Sequence, residues 1–143
     1  MRIPKLAHAA VAAALVTGGI LTGTGVPAQA ADSFQVCSPI CSLGDTGGSI
    51  TWFNRTAGVT GDVTDVGAGS TTAIFEAYAG DRKIDTQTRT ANDESSLGSP
   101  RGFNFTIGDT NLVGGINRIK ITVCFNFGTP IQRCGTPKNY SRT

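Results

Sequence analysis

Residues 117–125 read NRIKITVCF, and apolar and polar side chains alternate through this stretch. The odd-numbered positions from Ile119 to Phe125 are apolar, whereas the even-numbered positions from Arg118 to Thr122 are basic or hydroxylated. Successive side chains of a β-strand point to opposite faces, so the pattern predicts a strand with one buried face and one face in water. Strands of this kind are typical of antiparallel sandwiches and barrels.

The same period of two recurs elsewhere in the chain. In residues 101–107 it places Phe103, Phe105 and Ile107 on one face. Further strands are predicted at residues 50–53, 59–66, 71–79 and 83–90, and glycine-containing turns such as Gly80-Asp81 separate them. The sequence therefore predicts an all-β fold, an antiparallel β-sandwich of about seven strands stapled by disulfides.

Residues 1–30 have the features of a secretory signal peptide. Arg2 and Lys5 precede an apolar run over residues 6–21, and the small side chains of Ala28-Gln29-Ala30 suit a signal peptidase. The alternative, a membrane anchor, needs about 20 apolar residues, more than this run contains. We expect a secreted, extracellular protein whose single domain spans residues 31–143.

Cleavage after residue 30 would change the composition in two ways. It removes His8, the only histidine, and it takes the 12 basic residues to 10, equal to the 10 acidic residues that all lie beyond residue 30. A neutral chain has no electrostatic attraction to nucleic acid or to anionic membranes. Without an imidazole, we predict no catalytic residues, no cofactor, no metal and no hydrolase activity.

Four cysteines, Cys37, Cys41, Cys124 and Cys134, remain in the predicted domain. An even number in a small exported domain predicts two disulfides, and the short separations favour Cys37–Cys41 and Cys124–Cys134. A zinc site is the alternative, but the spacings lack the short paired motifs of such sites. A long-range bridge from Cys37 to Cys124 stays open, because the energy of loop closure does not decide the pairing.

Other stretches suggest chemistry but have simpler interpretations. Residues 44–48, GDTGG, resemble the nucleophile segment of chymotrypsin-like proteases with Thr46 in place of serine, and we interpret them as a turn before residue 50. Glu76 could be a half-buried carboxyl with a raised pKa, as in a glycosidase, or a solvent-facing side chain. The pairs Asp62/Asp65 and Asp93/Glu94 lack the spacing of a calcium loop.

Composition gives one resemblance and strand count another. The Ala/Gly-rich residues 1–30, followed by Thr/Asn/Gly-rich strands, resemble those of small exported actinobacterial proteins. About seven strands with a Gly114-Gly115 turn resemble an immunoglobulin-like sandwich. The hallmark of that fold, a buried tryptophan beside an inter-sheet disulfide, has no clear place, since Trp52 lies in the first long predicted strand. Neither resemblance brings site residues with it.

Two functions fit these observations. The first is a non-catalytic binding protein whose loops contact an extracellular protein or a polysaccharide. The second is an inhibitor that presents the cysteine-bracketed residues 125–133 to a secreted hydrolase. In either case we predict Phe127 and Ile131 as contacts on a preorganised loop, the alternative being that Phe127 caps the sandwich. Residues 91–100 have almost no apolar content and are predicted to form the most mobile loop.

Overall fold

The computed structural model describes residues 31–92 and 98–143. The predicted signal peptide lies outside these ranges, and so do residues 93–97, the middle of the loop predicted to be mobile. Within the described ranges the chain forms nine strands and no helix, and therefore no helix that could span a membrane. The strands are β1 (Ala31–Cys37), β2 (Gly44–Trp52), β3 (Thr56–Asp65), β4 (Thr71–Ala79), β5 (Arg82–Ala91), β6 (Ser99–Gly108), β7 (Arg118–Phe125), β8 (Arg133–Cys134) and β9 (Lys138–Ser141).

The strands make two antiparallel sheets that enclose one core. The first sheet has the order β1-β2-β3-β6, and the second has the order β5-β4-β7 with β8 and β9 both paired to the far side of β7. This arrangement confirms the predicted antiparallel sandwich. Its strand order differs from that of a constant-type immunoglobulin domain, whose third strand belongs to the second sheet, because here β3 stays beside β2.

The core is built from the inward faces that the alternation predicted. Ile119, Ile121 and Val123 of β7 are fully buried, and Phe103 and Ile107 of β6 face them from the first sheet. An aromatic cluster fills the middle, where the Phe75 ring lies 5.1–6.0 Å, centroid to centroid, from three other rings. The three partners are Phe34, Phe103 and Phe105.

The interpretation of residues 44–48 as a turn was wrong, because they form the first half of β2. Thr46 is fully buried, and its hydroxyl donates to the carbonyl of Asp62 at 2.6 Å. The glycines serve close strand pairing: Gly48 lies opposite Gly61, where a Cβ would collide with the backbone of the neighbouring strand. Glycine can therefore mark close backbone approach within a sheet as well as a turn.

The outer edge of β5 is blocked by two charged side chains. Asp85 accepts hydrogen bonds from the backbone N–H groups of Thr86 at 2.7 Å and Gly108 at 3.0 Å. Arg89 donates to the carbonyl of Thr88 at 2.6 Å and lies 4.2 Å from the centre of the Phe105 ring. The bonds to Thr86 and Thr88 occupy backbone groups of β5 that a further strand would need, which is how natural proteins limit pairing between sheet edges. The bond to Gly108 ties β5 to β6 of the first sheet.

We expect the double substitution Asp85→Ala/Arg89→Ala to expose this edge and promote self-association without a change of net charge. Sedimentation velocity should show a concentration-dependent shift to larger species that the wild-type chain does not show. The matched control is Asp81→Ala/Arg82→Ala, which removes the same charges at the exposed tip of the β4–β5 hairpin. Equal behaviour of the two double variants would argue against a protective role for this pair.

Candidate functional site

Both disulfides lie at one end of the sandwich. Cys37 bonds to Cys41 and Cys124 to Cys134, so the predicted local pairing is confirmed. Because the strands are antiparallel, the connections after β1, β3, β5 and β7 all emerge at this end. We define the disulfide end as residues 38–43, 66–70, 126–132 and 135–137, leaving out the incompletely described connection between β5 and β6.

Residues 126–132 form a loop of successive turns. Asn126 has a positive φ of 52°, and its carbonyl accepts hydrogen bonds from the N–H and the hydroxyl of Thr129. The N–H of Gln132 donates to the carbonyl of Thr129 at 3.1 Å, and its side-chain oxygen accepts the N–H of Gly128 at 2.8 Å. Asn126 also exchanges two hydrogen bonds with the backbone of Ser70. The loop is therefore held from within and from the neighbouring connection.

Residues 38–43 form a second braced turn. The N–H of Ser38 donates to the carbonyl of Gly44 at 3.0 Å, and its hydroxyl donates to the carbonyl of Ile40 at 2.7 Å. The same Ile40 carbonyl accepts the N–H of Leu43, whose own carbonyl accepts the N–H of Val66. Two neighbouring connections are thus tied together, which limits the movement of the end as a whole.

Three large apolar side chains project from these turns. Ile40 is 52% exposed, Phe127 is 44% exposed and Ile131 is 68% exposed. The exposure of Phe127 does not favour the alternative in which it caps the sandwich, although its role in binding stays a prediction. Ile40 was not among the predicted contacts, although its place between Pro39 and Cys41, in a small disulfide ring that cannot turn it inward, was a signal for exposure.

Charge is sparse in the four segments of the disulfide end, a definition that leaves out Asp93 and Glu94 of the β5–β6 connection. These segments contain no charged residue, and Asp65, Arg133 and Lys138 flank them. At the start of β2, burial raises the pKa of Asp45, and repulsion by Asp62 raises it further, while hydrogen bonds from Gln35 and Thr64 oppose the rise. The exposed apolar side chains therefore stand on nearly uncharged turns.

Within residues 31–92 and 98–143, no three His, Cys, Asp or Glu side chains come together as a group that could hold a metal ion. Asp62 lies on the partly exposed outer face of β3, whereas Asp65 is fully buried and accepts a hydrogen bond from the Thr71 hydroxyl at 2.6 Å. The two carboxyl groups thus belong to opposite faces of the strand. Asp93 and Glu94 lie outside the described residues.

The possibility of a raised pKa at Glu76 is contradicted. Burial alone would raise the pKa of this half-buried carboxyl, but hydrogen bonds from Lys120 and Lys83, together with their positive charges, lower it. In turn, the hydrogen bond to Glu76 raises the pKa of Lys120. Glu76 therefore belongs to a structural ion-pair network on the outer face of the second sheet.

This network predicts a pH dependence of stability. A carboxyl whose pKa is lower in the folded state than in the unfolded state stabilises the fold above its unfolded pKa, and this contribution is lost as the pH falls through the folded pKa. We expect Glu76→Gln to lower the free energy of unfolding at pH 7, with the difference from wild type shrinking below about pH 5. Urea denaturation between pH 2 and 7, with Asp81→Asn as the control, measures it; a difference that is constant with pH would contradict the role.

Comparisons with known proteins identify no relative. No protein-family model, curated protein or solved structure gives a match to the chain.

Proposed function

We propose that the chain is a small secreted, non-catalytic binding protein whose disulfide end contacts a partner protein outside the cell. The observation that carries this proposal is the exposure of Ile40, Phe127 and Ile131 on braced turns at the same end of the sandwich. Apolar side chains grouped on a surface favour an interaction site. Turns that are fixed beforehand lose little conformational entropy when a partner binds.

A partner protein is favoured over a polysaccharide. Sugars commonly stack on several exposed flat aromatic rings, but Phe127 is the single aromatic residue in the four segments of the disulfide end. Trp52 is buried, and its indole N–H donates to Asp32 at 2.7 Å. The ring of Tyr78 lies 4.1 Å from the Arg118 guanidinium, which covers one of its faces. The aliphatic side chains of Ile40 and Ile131 instead suit the apolar centre of a protein interface.

An inhibitor of a secreted hydrolase is the second candidate. The disulfide-bracketed turn with exposed Phe127 and Ile131 supports it, since such loops can enter an enzyme cleft. Against a substrate-like mode stands the conformation of residues 126–132, because backbone groups that an extended segment would offer to a protease are engaged within the loop. Stoichiometric loss of activity in a panel of secreted proteases and amylases would favour the inhibitor.

Export is part of the proposal. Two disulfides form and persist in oxidising compartments, which supports secretion together with the signal-peptide pattern of residues 1–30. Membership of the small exported proteins of actinobacteria is proposed on composition alone. Expression of the full chain, followed by N-terminal sequencing of the product in the medium, tests both the export and the expected start at Ala31.

The binding proposal is tested by comparing two ends of the same molecule. The triple variant Ile40→Ser/Phe127→Ser/Ile131→Ser removes the apolar groups of the disulfide end, and Val113→Ser removes a side chain that is 90% exposed at the opposite end. Immobilised wild-type protein should retain a defined partner from the secreted proteins of its source. We expect the triple variant to lose that partner and Val113→Ser to keep it; retention by all three proteins would overturn the assignment of the site.

Substitution of Phe127 alone distinguishes a binding contact from a side chain that caps the sandwich. Because the ring is 44% exposed, we expect Phe127→Ala to change the free energy of unfolding by less than about 1 kcal/mol while weakening partner capture. Thermal melting and capture are measured on the same preparations. A clear loss of stability with unaltered capture would show that Phe127 is a structural cap.

A further inference from the structure

A groove of about 410 Å³ lies between the two disulfides at the disulfide end. Its walls belong to separate parts of the chain that meet closely, because a side chain at Gly135 would collide with the backbone carbonyl of Cys37. The N–H of Gly135 donates to the carbonyl of Val123 at 2.9 Å, which fixes this wall against β7. The groove is lined chiefly by Val36, Cys37, Pro39, Cys134, Gly135 and Lys138.

One charged group faces this otherwise uncharged groove. Lys138 donates from its ammonium group to the carbonyl of Gln35 at 2.9 Å, and this hydrogen bond holds the side chain across the sandwich edge. No ion pair joins Lys138 to a carboxylate in the part of the chain that the structure describes, whereas Lys83 and Lys120 both pair with Glu76. An ammonium group has three donors, so Lys138 retains capacity for a further acceptor.

From this arrangement we infer that the groove binds an acidic segment of the partner protein, with one of its carboxylates paired to Lys138. This inference rests on the proposed function and specifies the chemistry of its partner. The volume lies in the range of sites for small ligands or short peptide segments, and the exposed Pro39 and Cys134 offer apolar surface to neighbouring side chains. A carboxylate complements the single positive charge, and its pairing with an ammonium group is a charge-assisted hydrogen bond.

The experiment uses two capped peptides as probes, acetyl-Val-Glu-Val-amide and acetyl-Val-Gln-Val-amide. The full chain is expressed in ¹⁵N medium, collected as the secreted disulfide-bonded product and titrated by NMR. We expect the glutamate peptide to shift the amides of residues 37–41 and 134–138 saturably, with a dissociation constant near 1 mM. The glutamine peptide should bind about tenfold more weakly, and higher salt should weaken the glutamate peptide.

Two protein variants connect the binding to Lys138. Lys138→Gln should weaken the glutamate peptide about tenfold, whereas Arg82→Gln, which removes the same charge at the opposite end, should leave it unchanged. Saturable shifts that are absent at about 10 mM peptide, or equal affinity of wild type and Lys138→Gln, would overturn the inference. Binding of an oligogalacturonate in place of the peptide would assign the groove to an acidic polysaccharide and would also overturn it.

Partner capture distinguishes failure of this inference from failure of the proposed function. If Lys138→Gln captures the partner as well as wild type while the Ile40/Phe127/Ile131 variant does not, the groove inference fails. The proposal that the disulfide end binds a partner is then retained. If the peptide binds in the groove while the triple variant retains the partner, the apolar contact proposal fails and the acid-binding groove stands.

Discussion

Phe75→Ala is expected to lower the free energy of unfolding by about 4 kcal/mol, which is a large part of the stability of a domain of this size. Phe75 is fully buried, and its ring makes edge-to-face contacts with Phe34, Phe103 and Phe105. Truncation therefore removes apolar burial and three aromatic contacts at once, and leaves a cavity that close-packed sheets cannot readily fill. Urea denaturation monitored by the fluorescence of Trp52 would measure the loss.

The matched control is Phe53→Ala. Phe53 is 44% exposed and packs its ring near Gly58 on the outer face of the first sheet. We expect its truncation to cost less than about 1 kcal/mol, since nearly half of the side chain already meets water. A similar loss in both variants would mean that the aromatic cluster around Phe75 does not dominate the core.

The alternation of apolar and polar side chains predicted strands β6 and β7 better than strand β1. In residues 103–107 of β6 and throughout β7 the alternate residues are apolar, so the inward positions Phe103, Ile107 and Ile121 could be assigned from the sequence. In β1 the only buried apolar residues are Phe34 and Val36, and the strand was missed. Its conformation depends on pairing with β2, a contact between distant residues that a local pattern does not contain.

The candidate site could likewise be predicted only in part from the sequence. The cysteines, Phe127 and Ile131 could be singled out because local sequence brackets the loop and leaves its apolar side chains without an inward position. The groove could not be predicted, because it exists only where Gly135 packs against the carbonyl of Cys37, nearly 100 residues earlier in the chain. The position of Lys138 also depends on a contact between distant residues, the hydrogen bond from its ammonium group to the carbonyl of Gln35 on the other sheet.

Cys124→Ala/Cys134→Ala is expected to lower the free energy of unfolding by about 3 kcal/mol, and Cys37→Ala/Cys41→Ala by about 2 kcal/mol. On the loop-entropy account, each bridge stabilises the fold by restricting the unfolded chain, and the longer loop gives the larger effect. Cys124 and Cys134 lie directly opposite each other in the β7–β8 register, so their bond closes an existing strand pair. Denaturant unfolding of the two double variants, beside the wild type, measures both values.

Loss of the Cys124–Cys134 bridge should also weaken partner binding at the disulfide end. The turns of residues 126–132 would keep their internal hydrogen bonds but lose one covalent anchor, so Phe127 and Ile131 would be less well ordered before binding. We therefore expect weaker partner capture from a variant that is still folded at 25 °C, because more conformational entropy is lost on association. Capture at wild-type strength by the folded variant would show that the bridge serves stability alone.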